Sequence, residues 1–77
     1  MKYHTNTALR RSNYALASPR EKEILQLISH GFSTKDIAAE LYLGTETIKT
    51  CRGRLLAKFE CKNVAQLVRR GFEIGLL

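Results

Sequence analysis

Apolar positions along this chain recur with the period of amphipathic helices. They fall into four segments, at residues 19–30, 34–41, 45–59 and 64–74. Within each segment the apolar residues are spaced three or four positions apart, which places them on one face of a helix. None of the segments alternates with the period of two that marks a half-buried strand. The pattern therefore predicts an all-α fold of four short helices joined by short loops.

Residues that favour helix N-caps stand before these segments. Ser18 is followed by a proline and, three positions after the cap, by Glu21, which makes a Ser-x-x-Glu capping box. Ser33 and Asn63 occupy the cap position before the second and fourth segments. Gly44 precedes the third segment and is an acceptable cap without a side chain. These residues predict where each helix begins.

The third segment separates an apolar face from a polar and basic one. At about 100° per residue, one face of this helix holds Ile48, Cys51, Leu55 and Phe59. The opposite face carries small and polar residues flanked by Lys49, Arg54 and Lys58. A short helix joined by a tight turn to a longer basic helix is typical of a helix-turn-helix, which seats its second helix in the major groove. Residues 33–59 therefore point to DNA binding.

Charge is unevenly distributed along the 77 residues, a length that suits one small domain. The formal net charge is +6. Residues 1–18 carry three bases and no acid, residues 19–44 carry three bases and four acids, and residues 45–77 carry seven bases and three acids. A positive tail and C-terminal half suit a polyanionic partner. Charge alone fits a solubilising surface about as well.

Several classes of protein are disfavoured by the composition. The two cysteines, Cys51 and Cys61, have no zinc-ligand spacing, and we interpret both as small buried apolar residues. No apolar run approaches the ~20 residues of a membrane span, and the N-terminus lacks a secretory signal. No nucleophile with a positioned base and no glycine-rich phosphate loop is apparent. We therefore predict a cytoplasmic protein that is not an enzyme, with no cofactor, metal, small-molecule ligand or membrane partner.

Six short pieces of the chain match one known family in order and spacing. They are SPREKEIL at 18–25, HGFSTKDIAAEL at 30–41, ETIKT at 46–50, RLLAKF at 54–59, NVAQLV at 63–68 and GLL at 75–77. Through them the chain resembles the LuxR-type helix-turn-helix domain of bacterial GerE and NarL–FixJ regulators. The resemblance implies a four-helix domain whose second and third helices bind DNA and whose fourth helix is the dimer contact. We expect this domain at residues 18–77, after a flexible tail at 1–17.

The chain departs from the family pattern at Gly44, Cys51, Gly53, Tyr42 and Ala17. Two of these departures carry an expectation about the site or the backbone. Gly53 stands where a side chain commonly points into the groove, which removes a potential base-reading group. Tyr42 occupies a turn position where small or polar residues are common, so backbone strain is expected there.

Candidate site residues follow from the helix geometry together with the resemblance. The base-reading candidates are Lys49, Thr50, Gly53 and Arg54, of which Gly53 contributes only a close backbone approach. The phosphate-binding candidates are Lys35, Thr45, Thr47, Arg52 and Lys58, with the amides at the start of the third helix. The dimer-interface candidates are Ala65, Arg69 and Phe72. The competing interpretation is a solvated basic face for the bases and a singly exposed phenylalanine for Phe72.

The function predicted from these residues is a sequence-specific transcription regulator that binds double-stranded DNA as a homodimer. The alternative is a protein-interaction module on the same fold that docks to RNA polymerase, a sigma factor or another regulator. Arg10 and Arg11 in the tail could reach a minor groove, but a tail that only raises local charge is the preferred interpretation.

Overall fold

Four α-helices follow one another along the computed structural model, which describes residues 17–77. They are α1 (Pro19–Ser29), α2 (Thr34–Leu41), α3 (Thr45–Lys58) and α4 (Val64–Glu73), and no strand occurs among the described residues. Helices α1 and α3 each pack against all three of the others. The all-α prediction is confirmed. The helix ends differ from the predicted ones by one residue, because His30, Phe59 and Ile74 are C-caps that follow α1, α3 and α4.

Side-chain caps fix the start of three helices. The predicted capping box of α1 is present: Glu21 N–H donates to Ser18 Oγ over 3.1 Å, and Ser18 N–H donates to Glu21 Oε1 over 3.0 Å. A second box opens α2, where Ser33 and Asp36 exchange the same two bonds, each of 3.1 Å. Asn63 Oδ1 accepts from Gln66 N–H at the start of α4. Each bond satisfies an amide that the helix itself leaves unpaired.

All four helices end in the same way. After each one, a residue with positive φ turns the chain, and the next amide donates to a carbonyl five residues earlier, as in a Schellman motif. The turning residues are Gly31, Tyr42, Glu60 and Gly75. The strain expected at Tyr42 is present, since it adopts φ 57° and ψ 43° with its side chain 94% exposed. A left-handed conformation costs a non-glycine residue about 1–2 kcal/mol.

The core lies where α1, α2 and α3 meet and is closed by α4. Its fully buried members are Ile24, Leu25, Ile37, Ile48, Leu55, Phe59 and Leu67. The apolar face predicted for the third helix is the buried face of α3. Gly71 leaves room for the side chain of Leu77 against α4, because a Cβ at residue 71 would lie 2.8 Å from Leu77 Cδ1.

Two expectations from the sequence need adjustment. Cys61 is half-buried rather than buried, and its thiol donates to the Phe59 carbonyl over 3.3 Å at the end of α3. Ala17, which was assigned to the tail, is 4% exposed and belongs to the core. The rest of the predicted tail, including Arg10 and Arg11, lies outside the described residues. Within residues 17–77 no helix is long and apolar enough to cross a membrane.

Candidate nucleic-acid interface

Helix α3 turns its buried face to the core and its polar face outward. Ile48, Cys51 and Leu55 hold it against the other helices, so the residues between them face solvent. The base-reading candidates Lys49, Thr50, Gly53 and Arg54 are all exposed on this outward side. A shallow depression of about 280 Å³ lies beside Thr50 and Arg54 and is also lined by Glu46, Thr47 and Cys51. The structure therefore brings the predicted base-reading residues together on one surface.

Lys49 has a partner on this surface. Its Nζ lies 3.3 Å from Glu46 Oε2, one turn earlier in α3, and both side chains are well exposed. Exposed ion pairs of this kind contribute about 0–1 kcal/mol. Lys49 can therefore exchange Glu46 for an acceptor on DNA at little cost, and Glu46 remains as a like charge to any nearby phosphate.

The N-terminus of α3 leaves backbone amides open. Gly44 has no side chain to accept from them, and the first intrahelical bond runs from Ile48 N–H to the Gly44 carbonyl. The amides of the first turn thus point outward beside the exposed hydroxyls of Thr45 and Thr47. Open amides and the positive end of the helix dipole together favour a phosphate.

The remaining phosphate candidates are placed in different ways. Lys35 is exposed on α2. Arg52 is half-buried, and its Nη1 donates to Thr34 Oγ1 over 3.1 Å, so it links α3 to the first turn of α2. The sequence predicts a phosphate contact for Arg52, and the structure gives its head group a hydroxyl on the neighbouring helix.

Lys58 is engaged inside the domain. Its Nζ lies 2.7 Å from Glu21 Oε1, and the Glu21 residue is only 4% exposed. The same carboxylate oxygen also accepts from the Ser18 amide. The contact holds the Lys58 ammonium at this carboxylate while its side chain stays 33% exposed. The phosphate role of Lys58 stays a prediction that competes with this internal ion pair.

Opposing effects act on the pKa of Glu21. Burial of the carboxylate raises its pKa, but the hydrogen bond from Lys58, the amide of Ser18 and the nearby Lys58 charge together lower it below its ordinary value. Asp36 at the start of α2 also has a lowered pKa, because the Ser33 amide and hydroxyl donate to its carboxylate.

A pH dependence of stability follows from Glu21. A carboxyl whose folded pKa is lowered stabilises the fold above its unfolded pKa of about 4.3, and this contribution disappears as the pH falls through the folded pKa. We expect Glu21→Gln to lower the free energy of unfolding at pH 7, and we expect the difference between the two proteins to disappear as the pH falls through the lowered folded pKa of Glu21. Urea unfolding of both proteins across this pH range measures the difference in their free energy of unfolding. Asp36 is present in both proteins, so its contribution cancels. Parallel pH curves would show that ionised Glu21 contributes nothing.

Gly53 has open space around it. An added Cβ would meet nothing within 4 Å, and the residue lies in mid-helix with ordinary φ. Since glycine weakens a helix interior, Gly53→Ala is expected to raise the free energy of unfolding by about 0.5–1 kcal/mol. Chemical denaturation measures this. Gly31→Ala is the matched control and should destabilise, because Gly31 has φ 90°. A destabilised Gly53→Ala protein would contradict the prediction.

The predicted interface residues share a face of α4. Ala65, Arg69 and Phe72 are spaced by four and three positions and are all exposed, with Phe72 61% exposed. Arg69 Nε lies 3.4 Å from Glu73 Oε2 along the same helix. These three residues thus lie along one exposed stripe of α4, in which Arg69 stands between the apolar Ala65 and Phe72.

Two contacts that hold the C-terminal end of α3 were not predicted from the sequence. Glu21 was identified only as part of a capping box, and Arg70 was given no role, yet Arg70 Nη1 donates to the Phe59 carbonyl over 2.9 Å. Both residues hold the C-terminal end of α3. No sequence signal marks these pairs, since Glu21 and Lys58 are 37 positions apart.

Comparison with known proteins agrees with this geometry. A family model described as bacterial regulatory proteins, luxR family, matches residues 16–70. The chain is 38% identical over 65 residues to the transcriptional regulatory protein DesR of Bacillus subtilis, covering 80% of this chain and 33% of that protein. It is 33% identical over 66 residues to nodulation protein W of Bradyrhizobium diazoefficiens, covering 86% of this chain and 29% of the relative.

A third relative covers almost the whole chain. It is the oxygen regulatory protein NreC of Staphylococcus haemolyticus, 30% identical over 74 residues, which span 96% of this chain and 34% of that protein. The chain therefore spans about a third of the length of these curated relatives.

Proposed function

Since the chain belongs to the luxR family of bacterial regulatory proteins, a family of DNA-binding helix-turn-helix domains, we propose that it is a sequence-specific transcription regulator. Its domain comprises residues 18–77 together with the core residue Ala17, and it inserts α3 into the major groove. The observation that carries this proposal is the outward face of α3, where two bases, a hydroxyl and a bare backbone position are exposed together. A helix in the groove reads bases with such side chains.

Base reading is proposed for Lys49, Thr50 and Arg54, with Gly53 allowing the helix backbone to come close. Lysine and arginine donate to the O6 and N7 acceptors of guanine, and the threonine methyl contacts the methyl group of thymine. The exposure of all four residues on one side of α3 supports this assignment.

Phosphate binding is proposed for Lys35, for the hydroxyls of Thr45 and Thr47, and for the open amides of α3. The hydroxyls and amides lie at the N-terminal end of α3, where the helix dipole favours an anion. Lys35 is exposed in the first turn of α2. Contacts of this kind fix the register of the protein on DNA without reading sequence. Arg52 and Lys58 are given structural roles instead, because both already have partners within the domain.

Dimerisation is proposed through the exposed stripe of α4, formed by Ala65, Arg69 and Phe72. Two copies that pair through this stripe would place their α3 helices on successive turns of the same DNA face. Half-sites about 10 base pairs apart are the expected consequence.

The proposal is tested by selection from a random-sequence duplex pool at two salt concentrations. An enriched motif with two half-sites about ten base pairs apart is expected. Weak binding that falls steeply with salt, without an enriched motif, would show that the basic face acts only electrostatically and would refute base reading.

A protein contact is a second candidate function, favoured by a cleft on the far side of α2. This cleft of about 610 Å³ is lined by His30, Gly31, Phe32, Asp36, Ala39 and Glu40. Its two carboxylates repel DNA, whereas its partly exposed phenylalanine suits a protein surface. Binding of purified RNA polymerase to the wild type, lost in Glu40→Lys and kept in alanine variants of α3, would support this function. Equal binding by all variants would exclude this cleft.

A further inference from the structure

We infer that Glu21 is a positioning residue for DNA reading: its ion pair with Lys58 sets the angle at which α3 presents Lys49 and Arg54 to bases. This inference rests on the proposed function, since it assigns the pair a task within DNA recognition. It gives Lys58 a role inside the domain in place of a phosphate contact.

Apolar packing alone defines only weakly the angle at which α3 lies against its neighbouring helices. The buried residues Ile48, Leu55 and Phe59 hold the helix by contacts without directional preference. Directional contacts come from polar groups, and within residues 17–77 such contacts join α3 and its C-cap Phe59 to all three neighbouring helices. They are Arg52 to Thr34 of α2, Lys58 to Glu21 of α1, and the Phe59 carbonyl to Arg70 of α4.

The Glu21–Lys58 contact is the shortest of the three, at 2.7 Å, and it joins two ionised groups. Glu21 is itself fixed, because its carboxylate accepts from the Ser18 amide while its own amide donates to the Ser18 hydroxyl. The capping box of α1 therefore serves as a rigid anchor for the last turn of α3. An exposed ion pair between two flexible side chains would lack this rigidity.

Because the pair lies at the C-terminal end of α3, a small change of angle there displaces the base-reading residues nearer the other end. At a rise of 1.5 Å per residue, Lys58 lies about 13 Å along the helix axis from Lys49. A tilt of about 5° at the anchored end therefore displaces the Lys49 end by about 1 Å. Hydrogen bonds to base edges tolerate only a few tenths of an ångström around their preferred length. Release of the pair would thus weaken base reading more than phosphate binding.

Two variants break the pair from opposite sides. Glu21→Gln keeps a side-chain oxygen for the Ser18 amide but removes the charge, and Lys58→Met leaves the capping box untouched. Matched controls are Glu23→Gln, an exposed glutamate of the same helix 3.8 Å from Arg20, and Lys62→Met, an exposed lysine. Binding to a duplex selected by the wild type and to a scrambled duplex is measured over a salt series. The temperature is one at which circular dichroism shows every variant folded.

Both pair variants are expected to lower the ratio of selected to scrambled affinity by about tenfold, the loss typical of one disturbed base contact. The double variant should lose no more than either single variant, and Lys58→Arg should retain the wild-type ratio, because it can restore the pair. The slope of affinity against salt should stay at its wild-type value, and the control variants should behave like the wild type.

Two results would overturn the inference. If Lys58→Met lowers the salt slope by about one while Glu21→Gln has no effect, Lys58 is a phosphate ligand. If the variants melt earlier but keep the wild-type affinity ratio, the pair only stabilises the fold. A wild type that selects no motif would instead refute the proposed function. In that case the inference is tested without DNA, by comparing the amide NMR shifts of residues 45–58 between Glu21→Gln and Glu23→Gln. Shifts that differ between the two variants support a positioning role for the pair, and identical shifts contradict that role.

Discussion

Leu55→Ala is expected to lower the free energy of unfolding by about 2–5 kcal/mol, the usual cost of truncating a buried leucine. Leu55 is completely buried in the last turn of α3, which packs against every other helix. A domain of this size has a total stability of only about 4–12 kcal/mol. The variant should therefore lose a large fraction of its stability and melt at a clearly lower temperature, as measured by urea unfolding or thermal melts followed by circular dichroism.

Leu56→Ala is the matched control for this experiment. Leu56 is the next residue of the same helix and is only half-buried. The two changes share their chemistry and their effect on helix propensity, so the difference between them reports burial alone. Equal losses of stability in the two variants would contradict the burial assigned to α3.

Lys49→Ala is expected to lower the affinity for the selected duplex by about 1–3 kcal/mol and to relax sequence preference at one position. The side chain is exposed on the outward face of α3, where its Nζ lies 3.3 Å from Glu46 Oε2. Repeating the duplex selection with the variant measures the change. An unchanged motif, or an equal loss on selected and scrambled duplexes, would show that Lys49 does not read a base.

Two further variants separate the causes of this loss. Lys35→Ala removes a proposed phosphate contact and should weaken binding to all sequences while lowering the salt slope by about one. Lys49→Ala leaves Glu46 without its lysine partner on the DNA-facing surface. Glu46→Gln, added to Lys49→Ala, removes this unpaired negative charge. If Glu46→Gln restores the affinity of Lys49→Ala without restoring the motif, the loss of preference belongs to the lysine and not to repulsion by Glu46.

Much of this fold follows from local sequence. Helix starts were predicted from caps such as Ser18 and Asn63, and the structure contains the expected side-chain bonds. The buried face of α3 was predicted from the spacing of Ile48, Cys51 and Leu55. These features depend on residues three to four positions apart, so the chain specifies them before any tertiary contact forms. The outward basic face of α3 follows by the same geometry.

The partners of polar side chains depended on the tertiary structure. The sequence showed Arg52 and Lys58 as basic residues on a basic helix, and only the packing of α3 against α1 and α2 brought Thr34 and Glu21 to them. It also showed Glu21 as an N-terminal cap, not as the anchor of a helix 37 positions away. Pairs so far apart leave no periodic signal, because their distance is set by how whole helices cross. The sequence by itself therefore determined the four helices, their buried faces and the family. Tertiary packing decided which basic residues face solvent and which ones bond to a partner within the domain.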